Sequence, residues 1–294
     1  MRTSGPKNRI PSWFGLFGAC FGLVGCTAGS PSPMGPSVPP PAGSTIVYSA
    51  VGASDVIGFG STRPCLPFED CNGTGYVWVA ARQLQSQRYT VRIASLGIPT
   101  AVLSRTFQDL GNQNGRTIAG NLIDQEMPFV QKDSTVVTIL AGANDVNAIT
   151  AALGNGAGGN APTSYIDQQV SVFRNEYATL LSGIRIRAPA AHVIVLNLPN
   201  LAGLPFLANA SLAQKQAAQR ASVGITTGVL NLSTGATVID LMCDSRFYQA
   251  STFSADGFHP NDSGYAILGT EIVKAITNSA YAAPRSSCAQ MTLF

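Results

Sequence analysis

The sequence predicts an α/β fold built on a central parallel sheet of about five strands, and three observations predict it. Five short apolar runs rich in Val and Ile recur along the chain. Apolar stripes at helical spacing fall between them. The stretches richest in reactive side chains come directly after the runs or close to them. Nearly continuous apolar runs of this length suit strands buried on both faces, as in a parallel sheet. Strands that alternate with helices place those helices over both faces.

The first run, TIVYSAV (45–51), ends at the glycine-flanked stretch GASDVIGFG (52–60). Val77, Ala80, Ala81 and Leu84 then share one helical face. The second run, YTVRIA (89–94), leads into SLGIPTAVLS (95–104). The third, TVVTIL (135–140), leads into GAND (142–145) and a helix that opens with NDVNAITAAL. Ile166, Val170, Phe173, Tyr177, Leu180 and Ile184 form the core stripe of a long helix. The fourth and fifth runs are HVIVLNL (192–198) and TVIDLM (237–242). DGFHP (256–260) precedes a last helix capped by Asn261 or Asp262, with Leu268, Ile272, Ala275 and Ile276 as its stripe. Gly154, Gly156 and Gly159 satisfy G-x-G-x-x-G, but they follow a helix rather than a strand, which excludes dinucleotide binding. That segment is expected to be a flexible loop and a lid beside the site.

In open parallel sheets the ligand crevice lies beyond the carboxyl ends of the strands. GASD, SLGIPTAVLS, GAND and DGFHP are all expected there. Their residue types suit acyl transfer, in which a hydroxyl needs a base, the base needs an orienting group, and the oxyanion needs donors. Ser54 supplies the hydroxyl, although the common G-x-S-x-G pattern is absent. The chain has two histidines. His192 opens a strand and is expected to be structural, which leaves His259 as the base. Asp256, three residues earlier, can accept from one ring nitrogen while the other faces Ser54. Asn144 carries an amide that can donate to an oxyanion, or it caps its helix. Asp145 is expected to be a cap or a local brace.

GASD, GAND and DGFHP, in this order, resemble the blocks of the SGNH (GDSL-type) hydrolase superfamily over most of residues 45–280. The resemblance implies a three-layer α/β/α flavodoxin-like sandwich. It also implies an esterase, lipase or deacetylase that needs neither metal nor cofactor. The expected reaction is cleavage of a carboxylic ester through an acyl-enzyme on Ser54. The substrate class is a lipid, sugar or small ester. An acyltransferase with the same triad, or a surface-binding lipoprotein of weak activity, are the alternatives. The oxyanion hole would comprise the Ser54 and Thr100 N–H groups and the Asn144 amide. Two positions depart from the family pattern: Ala53 stands where Asp is usual, and Thr100 where Gly is usual. Thr100 keeps the N–H but, being β-branched, disfavours a positive φ, so Gly97 and Gly115 are alternative equivalents.

The amino terminus reads as an export signal. MRTSGPKNR carries three basic residues and no acid, and the apolar stretch Ile10 to Gly25 is shorter than a bilayer span of about 20 residues. LVGC (23–26) resembles the bacterial lipobox, which implies cleavage before Cys26 and its lipidation; ordinary secretory cleavage is the alternative. The expected organisation is a signal over 1–25, a Pro/Gly/Ser-rich tether over 26–44, and the hydrolase domain over 45–294. The expected location is the bacterial cell envelope, anchored to a membrane through the lipidated terminus. The chain carries 18 Lys and Arg against 15 Asp and Glu, and three of the basic residues fall in the signal. With no basic run, a nucleic-acid partner is excluded. Cys65, Cys71, Cys243 and Cys288 form an even set in an exported chain, and the tight loop favours Cys65–Cys71 with Cys243–Cys288.

Overall fold

All five apolar runs form strands in the computed structural model, which describes residues 38–69 and 71–294. The expected signal, Cys26 and the tether as far as residue 37 lie outside the described residues. The strands are β1 (Thr45–Gly52), β2 (Thr90–Ser95), β3 (Val136–Leu140), β4 (His192–Leu196) and β5 (Thr237–Ile239). They pair in parallel in the order β2-β1-β3-β4-β5. Register sets Ala50 beside Ser95 and Thr138, and Gly52 beside Leu140, so β1, β2 and β3 end at one edge.

The inner strands β1, β3 and β4 are buried on both faces, which is why they read as nearly continuous apolar runs, while the edge strand β2 fully buries only Ala94 and Ser95. Ile46, Tyr48, Ala50, Ile194 and Leu196 belong to one core cluster; Val51, Val137, Ile139, Val193 and Val195 belong to the other. Side chains alternate across the sheet with period two. Helices α1 (Tyr76–Ser86) and α7 (Asp262–Thr277) cover the first face. Helices α2 (Arg105–Gln113), α4 (Ala143–Gly154), α5 (Pro162–Arg187) and α6 (Leu212–Gly228) cover the second, and the single-turn α3 (Leu122–Gln125) precedes β3. This is a three-layer α/β/α sandwich. Each large apolar side chain buried in it contributes about 1.5–3 kcal/mol.

The fifth strand is shorter than its apolar run. Asn197 Oδ1 captures the amides of Leu241 and Met242 at 2.6 and 3.0 Å, so the chain leaves the ladder at Asp240. The glycine-rich segment after α4 is not a lid on the site. It lines a separate cavity with α5, α6 and Phe294, and none of its residues lines the cleft around Ser54. Its glycines follow a helix that carries them away from the strand ends. Cys65 is bonded to Cys71, and Cys243 to Cys288. Among the described residues no helix is long and apolar enough to cross a membrane.

Candidate active site

Ser54 sits on the turn that closes β1. Gly52 makes this turn possible, because a Cβ there would lie 2.6 Å from the Leu140 carbonyl oxygen. The turn is fixed by Val56 N–H donating to Ala53 O at 3.1 Å and Phe59 N–H donating to Ser54 O at 3.0 Å. Ser54 is buried, yet it lines a cleft of about 260 Å³ at the carboxyl edge of the sheet.

DGFHP arrives at the same cleft from the far end of the chain. Gly257 has φ +69°, and a Cβ there would meet the Phe206 amide at 2.6 Å, so the tight turn needs glycine. Ser254 N–H donates to His259 O at 2.8 Å and closes the loop. Asn261, one of the two expected caps, accepts from the Ser263 and Gly264 amides and starts α7.

These two turns bring three side chains into one chain of hydrogen bonds. Ser54 Oγ lies 2.8 Å from His259 Nε2, and His259 Nδ1 lies 2.6 Å from Asp256 Oδ2. Asp256 Oδ1 accepts from the Ser254 hydroxyl and from the Phe258 and His259 amides at 2.8, 2.9 and 2.9 Å. Partial burial works to raise the Asp256 pKa, but the hydrogen bonds from the His259 ring, the two amides and Ser254 overcome it and hold the carboxyl at about 2. With Asp256 ionised, Nδ1 carries the ring proton and Nε2 is left to accept the Ser54 hydroxyl. The rings of Phe59 and Phe258 stand edge-on to His259 at 4.7 and 5.0 Å and confine it.

Thr100 and Asn144 line the same cleft. Thr100 adopts φ +63° despite its branched Cβ, and its Oγ1 accepts from the Ala119 amide at 3.0 Å. Neither the Ser54 nor the Thr100 N–H donates to another described group. Of the alternative equivalents, Gly97 packs under the Ser54 turn, where a Cβ would meet Ala53 O at 2.5 Å, and neither Gly97 nor Gly115 lines the cleft. Asn144 is not the helix cap; that place falls to Gly142. One Asn144 N–H donates to Ala101 O at 2.9 Å, which leaves the second for the cleft. Asp145 is the expected brace: fully buried, it accepts from the Leu103 amide at 2.9 Å and ties the Thr100 loop to α4. Burial pushes its carboxyl up to about 7.

The sequence profile of the GDSL-like lipase/acylhydrolase family matches residues 50–267, a span that begins in β1 and ends inside α7. The chain belongs to this family.

This GDSL-like hydrolase also resembles solved structures. A lipase from a goat rumen metagenome is 19% identical, with a TM-score of 0.53, over 79% of this chain and 98% of its own. An extracellular lipase from Streptomyces rimosus is 20% identical over 76% and 97%, with a TM-score of 0.46. The aryl esterase of M. smegmatis is 17% identical over 79% and 98%, with a TM-score of 0.45. The first likeness supports the fold. No curated protein matches the chain in sequence.

Several residues of the GDSL-like site carry no sequence signal of their own. Glu126, just beyond α3, is fully buried and accepts from the Gly52 amide at 2.8 Å and the Ile98 amide at 3.1 Å. It therefore clamps the Ser54 turn to the Thr100 loop. The Tyr265 hydroxyl donates to Phe59 O at 2.6 Å and holds the Phe59 segment against α7. Arg116, Asn147 and Phe206 also line the cleft. An i, i+3 reading of α4 from Asn144 could have found Asn147. His192, expected to be structural, pairs with Thr237 Oγ1 at 2.8 Å across β4 and β5. Among the described residues no group of three or more His, Cys, Asp or Glu is placed to hold a metal ion.

Proposed function

We propose that the chain is a serine esterase that cleaves carboxylic esters through an acyl-enzyme on Ser54. The observation that carries this reading is the unbroken path Ser54–His259–Asp256 at 2.8 and 2.6 Å, opening on a cleft. In the first step Ser54 Oγ bonds to the ester carbonyl carbon while His259 Nε2 takes the hydroxyl proton. Asp256 holds the imidazole orientation and balances the imidazolium charge. The oxyanion is met by the Ser54 and Thr100 N–H groups and the free N–H of Asn144. Collapse breaks the ester C–O bond, and Nε2 returns its proton to the departing alcohol. Water then attacks the acyl-enzyme and gives its proton to Nε2; collapse breaks the bond between Ser54 Oγ and the acyl carbon, Nε2 returns the proton to Oγ, and the acid leaves. Esters of lipids, sugars or small alcohols are the substrates this chemistry takes.

Hydrolysis of a short p-nitrophenyl ester tests the reading. Ser54→Ala is expected to lower kcat by roughly a thousandfold or more, since removing one triad member disables the unit. Equal rates in the two proteins would remove Ser54 from the mechanism.

We further propose that Cys26 is acylated after export and anchors the domain at the bacterial envelope, with the segment up to residue 44 as its tether. The support is the charge and apolar pattern ahead of LVGC. Palmitate incorporation in expressing cells is expected for the wild type and not for Cys26→Ser; equal incorporation rejects the anchor.

A further inference from the structure

Two polar side chains in the cleft are unspent. Arg116 lines it from the loop after α2, and its guanidinium makes no hydrogen bond or ion pair with any described residue. Asn147 lines it from α4, one turn beyond Asn144, and is 7% exposed. No described group bonds to its amide either. Its amide is not sealed from solvent, so it opens onto the cleft wall, where a ligand can take its hydrogen bonds.

The chemistry of the pair narrows that ligand. A neutral hydroxyl would satisfy Asn147 alone. A guanidinium presents a planar fork of donors and binds a carboxylate or phosphate by two parallel bonds. Asp256 is the one carboxylate among the lining residues, and His259, Ser254 and two backbone amides already occupy it. The half-buried Arg116 thus brings to the cleft a positive charge that no described carboxylate pairs. Phe59, Phe206 and Phe258 supply the apolar lining, suited to an acyl chain.

We propose that Arg116 and Asn147 form a subsite for an anionic group, phosphate or carboxylate, carried by the ester substrate on its alcohol side. This rests on the esterase reading and names the substrate class within it: esters whose leaving alcohol bears an anion. The Arg116 fork takes two anion oxygens, and the Asn147 amide donates to a third or to a bridging oxygen. Asn144 and Asn147 lie on one face of α4, so a single helix presents both the oxyanion donor and the anion donor.

A matched ester set tests the subsite: para-acetoxybenzoate, para-acetoxyphenyl phosphate and the neutral para-acetoxybenzamide. The wild type is expected to favour the anionic esters in kcat/KM, with the preference shrinking as salt is added. Arg116→Gln is expected to reduce the anionic-to-neutral ratio by roughly 10- to 100-fold, and Asn147→Leu to move it the same way by less. The anion with the larger advantage, phosphate or carboxylate, is the one the subsite takes. A wild-type ratio near one, or a ratio unmoved by Arg116→Gln, overturns the proposal. Calorimetric binding of the same esters to Ser54→Ala separates the subsite from the reaction. If no ester is turned over, tighter binding of the anionic esters that is lost in Ser54→Ala/Arg116→Gln sustains the subsite. Equal binding of all three overturns it.

Discussion

Glu126 accepts two amides that belong to different parts of the site, one under Ser54 and one ahead of Thr100. Glu126→Gln exchanges one acceptor oxygen for an NH2 group and leaves one of those amides unpaired, so it should cost about 1–3 kcal/mol of stability. Because the clamp sets where the Ser54 and Thr100 N–H groups stand, kcat should fall under the proposed mechanism with little change in KM, read by steady-state kinetics. Burial pushes the Glu126 carboxyl well above its usual range, against the pull of the two amides. A raised carboxyl pKa favours the fold below the unfolded value of 4.5 and loses that contribution as pH rises through the folded value. The Tm difference between wild type and Glu126→Gln should therefore shift toward the variant as pH climbs from 4.5, measured by calorimetry across buffers. Asn144→Ala should lower kcat by roughly 100- to 1000-fold, the usual effect of losing one oxyanion donor. At this scale the sequence was legible where function compresses into short blocks: Ser54, Asn144, Asp256 and His259 each stand in one. Glu126 and Arg116 were not legible, because tertiary packing alone sets Glu126 under the Ser54 turn and Arg116 on the cleft, whereas Asn147 needed only the helical spacing from Asn144.

Turns and helices carry the site, and their stabilities can be tested separately. The DGFHP turn depends on Asp256, whose carboxyl is held at about 2 against a usual 3.8. A lowered pKa contributes stability above 3.8 that is lost as pH falls toward 2. Asp256→Asn should be less stable than wild type at neutral pH, and the two Tm curves should converge across that acid window. The disulfides differ in reach. Cys243 and Cys288 are 45 residues apart, and Cys65 and Cys71 only 6. By loop-closure entropy the longer bridge contributes about 4 kcal/mol and the shorter about 2 kcal/mol. Cys243→Ser/Cys288→Ser should then lower Tm more than the Cys65→Ser/Cys71→Ser pair. Helix α6 escaped the apolar reading because its buried face is Ala218, Ala221, Ser222, Ile225 and Thr226, small or polar side chains that leave only a faint stripe. Ser211 and Gln214, which form its capping box, were the signal that could have found it.

Across the whole molecule, the parallel sheet explains both what the sequence revealed and where the chemistry lies. Strands covered on both sides are nearly continuous apolar runs, so β1, β3 and β4 stood out, the edge strand β2 showed through its Val, Ile and Ala, and β5 was overextended only where Asn197 draws the chain out of the ladder. Parallel pairing sends the β1, β2 and β3 ends to one edge, where Ser54, Thr100 and Asn144 collect. Thr45 begins β1 at the opposite edge of the sheet. The departures at positions 53 and 100 leave two local features in place: Glu126 accepts from the Gly52 amide under the Ser54 turn, and Thr100 takes a positive φ of +63° despite its branched Cβ. The proposed esterase activity makes Ser54 the nucleophile of a preorganised triad. Treatment of the folded protein with a fluorophosphonate, followed by intact-mass and peptide mapping, tests it most directly. One adduct per chain is expected, on Ser54, and it should disappear in His259→Ala. An unlabelled Ser54, or an adduct on another serine, would contradict it.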